Sequence, residues 1–187
     1  FELFDNNVAY EIRLPKALES DILCPFHYFG VTDYIHNGVT SDDYTELKDL
    51  TSDKRIKHII EKTNYYGYSG SQLKGLIFVS RKEEAIEIAE KLSLNNIPSK
   101  ALIGSDTQNK RTKVINELIN GKINYIVTVN LFNEGIDIPE VNQIVMLRST
   151  QSSIIFTQQL GRGLRKSSEK EFVTIIDFIG NYENNYL

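Results

Sequence analysis

The stretch Gly75-Leu76-Ile77-Phe78-Val79-Ser80, together with the residues Lys82 to Leu94 that follow it, decides the fold of this chain. The first stretch is short and almost wholly apolar, which is typical of a buried strand. The second repeats its apolar residues at helical spacing, which predicts an amphipathic helix. A buried strand followed at once by such a helix indicates a protein in which strands and helices alternate.

The same alternation continues toward the C-terminus. Further strands are predicted at 99–103, 124–129, 143–147 and 171–178, and further helices at 108–120 and 152–164. Strands that alternate with helices pair in parallel through right-handed crossovers, so we predict an α/β fold with helices on both faces of a parallel sheet. Ligands of such sheets meet the loops at the carboxyl ends of the strands.

The N-terminal third differs in charge. Residues 1–63 hold 12 acidic and 7 basic side chains, a net of −5, whereas residues 64–187 hold 13 acidic and 14 basic ones, a net of +1. Strands are predicted at 8–14 and 26–35, and helices at 42–50 and 52–63 with Ser41 and Thr51 as N-caps. A Gly/Ser/Tyr-rich stretch follows, and we predict a small α+β or mostly helical linking segment over 1–70 and one domain over 71–187.

The composition is that of a globular protein. The 187 residues are 41% hydrophobic and 25% charged, with a formal net charge of −4. This balance argues against wrapping nucleic acid by bulk charge, although a local basic stripe is compatible with it. The single cysteine, Cys24, excludes an internal disulfide and favours a reducing, cytoplasmic compartment. No apolar run reaches the roughly 20 residues of a membrane span, so we expect no membrane partner.

The first candidate site is Gln158-Gln159-Leu160-Gly161-Arg162-Gly163-Leu164-Arg165. On a helix Gln158, Arg162 and Arg165 are related by i, i+4 and i+7, so that their side chains leave one face and can converge. Two guanidiniums and an amide aimed at one point suit phosphate oxygens. A solvated basic helix end fits the same pattern.

Two further candidates follow predicted strands. In residues 128–139, Gly135 and Pro139 require a turn that displays Asp137 as an acceptor for a hydroxyl or an arginine, unless Asp137 only bonds its own backbone in an Asx turn. The polar run 148–153 suits contact with a sugar-phosphate backbone, and its Ser152 can also cap the next helix. A basic group in the middle of the chain fits either an extension of such a surface or a solvated helix face: Lys100, Lys110, Arg111, Lys113 and Lys122.

Taken in order, these segments resemble the motifs of the second RecA-like domain of superfamily 2 helicases and translocases. Residues 75–80 resemble the motif IV strand, 128–139 resemble motif V, and Gln158-x-x-Gly161-Arg162-x-x-Arg165 resembles motif VI. The form of residues 156–165 is most similar to restriction-type and DEAH-like bacterial members. Residues 23–30 are similar to the stretch that links the two motor domains in bacterial members.

The resemblance implies a role for each candidate. Arg162 and Arg165 are expected to be arginine fingers that reach the γ-phosphate of ATP bound mainly on another domain, with Gln158 assisting. The residues expected at the nucleotide are Gly135, Asp137 and Gly161. The residues expected to face the nucleic-acid backbone are Ser80, Arg81, Thr128, Arg148 and Thr150. The expected partners are nucleic acid, with DNA preferred, and the N-terminal RecA-like domain of the same parent protein.

Several departures from the family limit what this chain does alone. It has no G-x-x-x-x-G-K-[ST] loop and no paired-acid metal motif, so we expect ATP and Mg²⁺ to be held mainly by a domain outside this chain. The chain begins at Phe1, and we expect a fragment that is inactive alone from a parent that hydrolyses ATP. Asn133-Glu134 stand where many relatives have an arginine, which puts one contact in doubt.

Two other functions fit parts of the sequence. A RecA-like module that docks nucleic acid without catalysis would share the fold and the basic surface. A dinucleotide or nucleotide-sugar enzyme would need a G-x-G-x-x-G turn after a strand, and the sequence has none.

Overall fold

The computed structural model describes residues 9–10, 24–33, 46–129, 138–148 and 167–178. The strands are β1 (Ala9–Tyr10), β2 (Phe26–Gly30), β3 (Gly75–Phe78), β4 (Ser99–Leu102), β5 (Tyr125–Thr128), β6 (Gln143–Met146) and β7 (Val173–Asp177). The helices are α1 (Leu47–Leu50), α2 (Asp53–Tyr66), α3 (Lys82–Leu94) and α4 (Gln108–Ile119).

Within these residues one seven-stranded sheet has the order β1-β2-β7-β6-β3-β5-β4. Strand β1 is antiparallel to β2, and every other neighbouring pair is parallel. Parallel strands require crossover connections, and the described helices lie in three of them, from β2 to β3, from β3 to β4 and from β4 to β5. The predicted α/β architecture is confirmed.

Alternation along the strands divides the core into two layers. In β3, Leu76 packs in one layer with Leu118 of α4. Ile77 packs in the opposite layer with Ile59 of α2 and Ile88 of α3. Because β3, β5, β6 and β7 are buried along their whole length, each of these strands contributes apolar side chains to both layers. The prediction of helices on both faces is therefore confirmed.

Strand β2 comes from the N-terminal side of the predicted boundary near residue 70. It pairs with β7 in continuous register, from Phe26 opposite Val173 to Gly30 opposite Asp177. The Tyr28 hydroxyl also donates to the buried Asp177 carboxylate. The sheet thus extends into the N-terminal part of the chain, and the position of the domain boundary stays a prediction.

The start of α2 differs from the expected one. Ser52 is the N-cap, since its Oγ accepts a hydrogen bond from the N–H of Arg55 at 3.4 Å. Thr51 instead donates its hydroxyl to the carbonyl of Leu47 at 2.9 Å, at the end of α1. The assignment of Thr51 as a cap was wrong because the preceding helix reaches that residue. The predicted cap Ser41 lies outside the described residues.

Polar side chains tie down the amino-terminal edge of the sheet. Asn142 accepts from the N–H of Lys74 at 2.9 Å and donates to the carbonyl of Ser69 at 2.8 Å. The Lys74 ammonium also pairs with the Glu169 carboxylate at 2.7 Å. These polar groups are already paired with one another or with the backbone. The candidate site lies at the opposite, carboxyl-terminal edge. None of the helices in the described ranges is long and apolar enough to cross a membrane.

Candidate nucleic-acid interface

The register of the central strands brings three strand exits together at the carboxyl-terminal edge. Phe78 of β3 lies opposite Thr128 of β5 on one side and opposite Met146 of β6 on the other. The pairing continues past the strands, because the N–H of Val79 donates to the carbonyl of Thr128 at 3.0 Å. Neighbouring strands lie about 4.8 Å apart, so the residues that leave β3, β5 and β6 form one continuous surface.

The loop between β3 and α3 is the first part of this surface. It consists of the buried Val79 and of Ser80 and Arg81, which are both partly exposed. The N–H of Ser80 donates to the Glu84 carboxylate at 3.1 Å, so that a side chain from the first turn of α3 fixes the loop backbone. An acidic side chain in the first turn also interacts favourably with the helix dipole.

Glu84 belongs to a buried ionic cluster that the sequence analysis did not predict. We call Asp33, Arg55 and Glu84 the buried triad; their exposed fractions are 4%, 0% and 0%. Arg55 lies between the two carboxylates, with Nη2 at 2.7 Å from Asp33 and Nη1 at 3.2 Å from Glu84. A signal was present, because Arg55 stands in the helical stripe of α2 that also holds Ile59.

The contacts within the triad shift the pKa values of Arg55 and Glu84. Burial opposes the positive charge of Arg55, but the hydrogen bonds and charge of Asp33, with the charge of Glu84, raise the pKa of Arg55 above its ordinary value. Burial raises the pKa of Glu84, while the Arg55 charge and the Ser80 N–H partly offset that rise. The triad therefore consists of one cation, Arg55, that contacts two carboxylates, those of Asp33 and Glu84.

Arg148 connects two of the strand exits. Its Nη1 donates to the carbonyl of Val129 at 2.7 Å, and its guanidinium carbon lies 5.8 Å from the centroid of the Phe78 ring. Arg148 thereby ties the end of β6 to the end of β5 and to β3, while remaining partly exposed. Thr128 is only 2% exposed. Of the predicted nucleic-acid residues in the described ranges, Thr128 is the one that the surrounding residues bury.

The remaining predicted site residues lie outside the described residues. They are Gln158, Arg162, Arg165, Gly135, Asp137, Gly161 and Thr150. Their roles as arginine fingers, nucleotide contacts and nucleic-acid contact stay predictions.

The basic group in the middle of the chain has partners within the domain. Arg111 is 7% exposed and donates to the carbonyls of Gly104 at 2.9 Å and Asp106 at 3.0 Å. It stabilises the turn after β4, and it belongs neither to a solvated face nor to an open basic surface. Lys110 pairs with Asp106 at 2.6 Å, and Lys100 pairs with Glu117 at the same distance.

A Mg²⁺ site at this edge would need several oxygen ligands grouped around one point. The parts of the chain that the structure describes contain no group of three or more His, Cys, Asp or Glu side chains that could hold a metal. The carboxylates of Asp33 and Glu84 both contact Arg55, whose positive charge occupies the place between them. The triad does not fit a bound cation.

The family of this chain follows from its sequence. Residues 54–167 match the family model described as the helicase conserved C-terminal domain. The chain therefore belongs to that family, and the resemblance to the second RecA-like domain of superfamily 2 helicases is confirmed at this level.

Individual relatives agree with this assignment. The chain is 31% identical over 181 residues to the putative ATP-dependent helicase IRC3 of Saccharomyces cerevisiae, a match that covers 94% of this chain and 26% of that protein. The chain thus spans about a quarter of the length of this relative.

Solved structures share the fold. The Escherichia coli DEAD-box protein SrmB, solved bound to the regulator RraA, superposes with a TM-score of 0.55 at 20% identity, covering 83% of this chain and 78% of that one. The RNA-helicase Prp28 from Chaetomium thermophilum, solved bound to ADP, gives a TM-score of 0.53 at 26% identity, covering 67% and 30%. These likenesses agree with the parallel sheet described above.

Proposed function

We propose that this chain is the C-terminal motor domain of an ATP-dependent helicase or translocase that moves on nucleic acid. The observation that supports this most directly is the convergence of the exits of β3, β5 and β6 at one edge. The family match over 54–167 includes all three motif segments, so the edge and the motifs belong to the same unit. The parent protein is then an ATP hydrolase, and this chain supplies one side of its cleft.

Arg162 and Arg165 would act as arginine fingers, with Gln158 beside them. Phosphoryl transfer spreads negative charge over the equatorial oxygens of the γ-phosphate, and a finger supplied from a second unit increases the rate by about 10³–10⁵. ATP and Mg²⁺ would be held mainly by the N-terminal RecA-like domain of the parent. The residues that would contact the nucleotide from this side are Gly135, Asp137 and Gly161.

The nucleic-acid backbone would lie along the carboxyl-terminal edge. Ser80, Arg81 and Arg148 are partly exposed there, and they combine hydroxyl and guanidinium groups with backbone N–H groups. Such contacts position a strand without reading its bases. Thr150 would extend the same surface, and Thr128 would act through its backbone, because its side chain is buried.

The finer assignment rests on the form of motif VI. Residues 156–165 resemble restriction-type and DEAH-like members, and on that basis we propose DNA as the track. The single cysteine, Cys24, supports our proposal of a cytoplasmic location. The test is ATPase activity of the full-length protein with DNA and RNA strands of the same sequence. Stimulation by RNA alone would contradict the DNA assignment.

Arg165→Ala in the full-length protein tests the motor function. We expect nucleic-acid-stimulated ATPase to fall by about 10³-fold or more, since charge on the transferred phosphoryl group loses its partner. Nucleic-acid binding should stay near the wild-type value. Lys62→Ala is the matched control, since Lys62 is partly exposed near the end of α2, beside the amino-terminal edge of the sheet, and it should leave both unchanged.

Unchanged turnover in Arg165→Ala would contradict the proposed role of the finger. A wild-type protein that binds nucleic acid but shows no stimulated ATPase would favour the docking module instead.

A further inference from the structure

The buried triad joins three separate parts of the chain beneath the proposed interface. Arg55 lies in α2, Asp33 follows the end of β2, and Glu84 lies in the first turn of α3. Arg55 also donates to the carbonyl of Leu50 at 2.8 Å, where α1 ends. Arg55 therefore ties its own helix, α2, to the segment after β2, to α1 and to α3.

The two oxygens of Glu84 contact different partners. Oε1 accepts from Arg55 at 3.2 Å, and Oε2 accepts from the N–H of Ser80 at 3.1 Å. Arg55 is in turn held by the carboxylate of Asp33, which receives its Nε at 3.1 Å and its Nη2 at 2.7 Å. The planar Arg55 guanidinium has little rotational freedom because it is paired with Asp33. It therefore fixes the orientation of the Glu84 carboxylate, which in turn fixes the backbone of the Ser80–Arg81 loop.

We propose that Asp33, Arg55 and Glu84 are positioning residues that hold the Ser80–Arg81 loop in the geometry in which it contacts the nucleic-acid backbone. This inference rests on the proposed function for the identity of the ligand. None of the three touches nucleic acid, because all are buried. They act through the N–H of Ser80, which lies next to the side chain that makes the contact.

A purely structural role would have a different consequence. If the triad only stabilised the domain, its loss would lower the free energy of unfolding. Nucleic-acid binding would then fall only as much as in any other variant that is destabilised to the same extent. A positioning role predicts a selective loss of binding that depends on Arg81. Double-mutant cycles separate the two, because residues that act through one another give non-additive effects.

The experiment uses the full-length protein and a fluorescein-labelled oligo(dT) strand, with binding followed by anisotropy. Glu84→Gln is the principal variant, since it leaves Arg55 paired with Asp33 and preserves side-chain volume. In the amide, an NH2 group replaces one of the two oxygens that accept from Arg55 and from the N–H of Ser80, and this donor cannot accept the hydrogen bond made at that position. We expect Glu84→Gln to bind oligo(dT) about ten-fold more weakly than the wild type, and Arg55→Met to bind at least as weakly as Glu84→Gln. A ten-fold change corresponds to the loss of one well-placed hydrogen bond to a charged group.

The kinetic signature is equally specific. The oligo(dT) concentration for half-maximal ATPase should rise by a similar factor, while the maximal rate stays within about two-fold, because the lost interaction concerns binding of the strand. In an Arg81→Ala background, Glu84→Gln should weaken binding no further. The matched control is Lys74→Met, which removes a half-buried ion pair at the opposite edge and should leave oligo(dT) binding unchanged.

The outcomes distinguish the inference from the function on which it rests. If Arg81→Ala weakens binding but Glu84→Gln does not, or if the two effects add, the positioning role is overturned while the proposed function stands. If Arg81→Ala binds like the wild type, the loop makes no contact and the inference is overturned. If the wild-type protein binds neither oligo(dT) nor an oligo(U) strand of the same length, both are overturned; if it binds oligo(U) alone, only the DNA assignment is overturned and the same variants are compared on oligo(U). Should Arg55→Met fail to fold, Glu84→Gln alone decides.

Discussion

Gly70 illustrates how a single backbone position fixes the amino-terminal edge. Its φ is +97°, and a Cβ there would lie 2.3 Å from the carbonyl oxygen of Glu169. Both the left-handed conformation and the close approach exclude a side chain. Gly104 is the natural comparison, because nothing lies within 4 Å of a Cβ built on it.

We expect Gly70→Ala to lower the free energy of unfolding by about 2–4 kcal/mol, since the backbone of the 167–170 turn would have to move. Gly104→Ala should change it by less than about 1 kcal/mol. Urea unfolding of both variants measures the difference. Equal midpoints would show that the turn adapts at little cost.

Arg55 is the cation that contacts both buried carboxylates of the triad. Arg55→Met would remove the cation that the buried carboxylates of Asp33 and Glu84 both contact, and we expect the free energy of unfolding to fall by about 3–5 kcal/mol at neutral pH. Lys100→Met is the control: it breaks an exposed pair, with 46% of the Lys100 side chain accessible, and should cost less than about 1 kcal/mol.

The pH dependence of this loss has a definite sign. Burial already raises the pKa of Glu84, and removal of Arg55 would raise it further. A carboxyl whose folded-state pKa is raised contributes stability that is fully present below its unfolded pKa and is lost as pH rises. The deficit of Arg55→Met relative to wild type should therefore shrink as the pH is lowered from neutral toward the ordinary titration range of glutamate. A deficit that grows on acidification would contradict this account.

At the scale of elements, the start of α4 is determined locally. Thr107 is its N-cap, and its hydroxyl oxygen accepts from the N–H of Lys110 at 3.3 Å. We expect Thr107→Ala to lower the free energy of unfolding by about 1 kcal/mol. Thr112→Ala, the same substitution in the exposed interior of the helix, should be neutral or slightly stabilising. A similar effect at both positions in urea unfolding would show that the cap contributes nothing specific.

The elements of the α/β unit were predictable because each has a local cause. The apolar run of β3 and the periodic stripe of α3 are visible in short windows of sequence, and both were placed correctly. The start of α2 was placed wrongly because Thr51 and Ser52 are both good caps, and only the length of α1 decides between them. Local patterns identify elements well and their ends less well.

The candidate site was predictable only in part, because its geometry depends on contacts between distant residues. That Ser80 and Arg148 follow neighbouring strands could be expected from topology alone. The burial of Thr128 follows from the position of β5 between β3 and β4, where both of its faces are covered, and this position depends on the pairing of strands that are distant in the sequence. The buried triad joins residues far apart in sequence, and Arg55 reads as an ordinary surface charge until its two carboxylates are seen.

For the whole molecule, the central question is what the N-terminal part contributes. The predicted linking segment includes β2, yet β2 covers the edge of β7 along its full length. It also leads to Asp33, which holds Arg55. A sheet edge that loses its neighbour exposes unpaired N–H and C=O groups, which promotes association with other chains.

Removal of residues 1–45 should therefore destabilise the domain, although the family match begins only at residue 54. The shortened chain would expose β7, whose Ile175 and Ile176 are fully buried in the intact protein, and would leave Arg55 with Glu84 as its remaining carboxylate. We expect it to aggregate in size-exclusion chromatography and to lose its cooperative urea transition. A chain lacking only residues 1–8 keeps β1 and β2 and should behave like the intact protein. A soluble, cooperatively folding 46–187 chain would show instead that β7 tolerates an open edge and that the N-terminal segment is a linker alone.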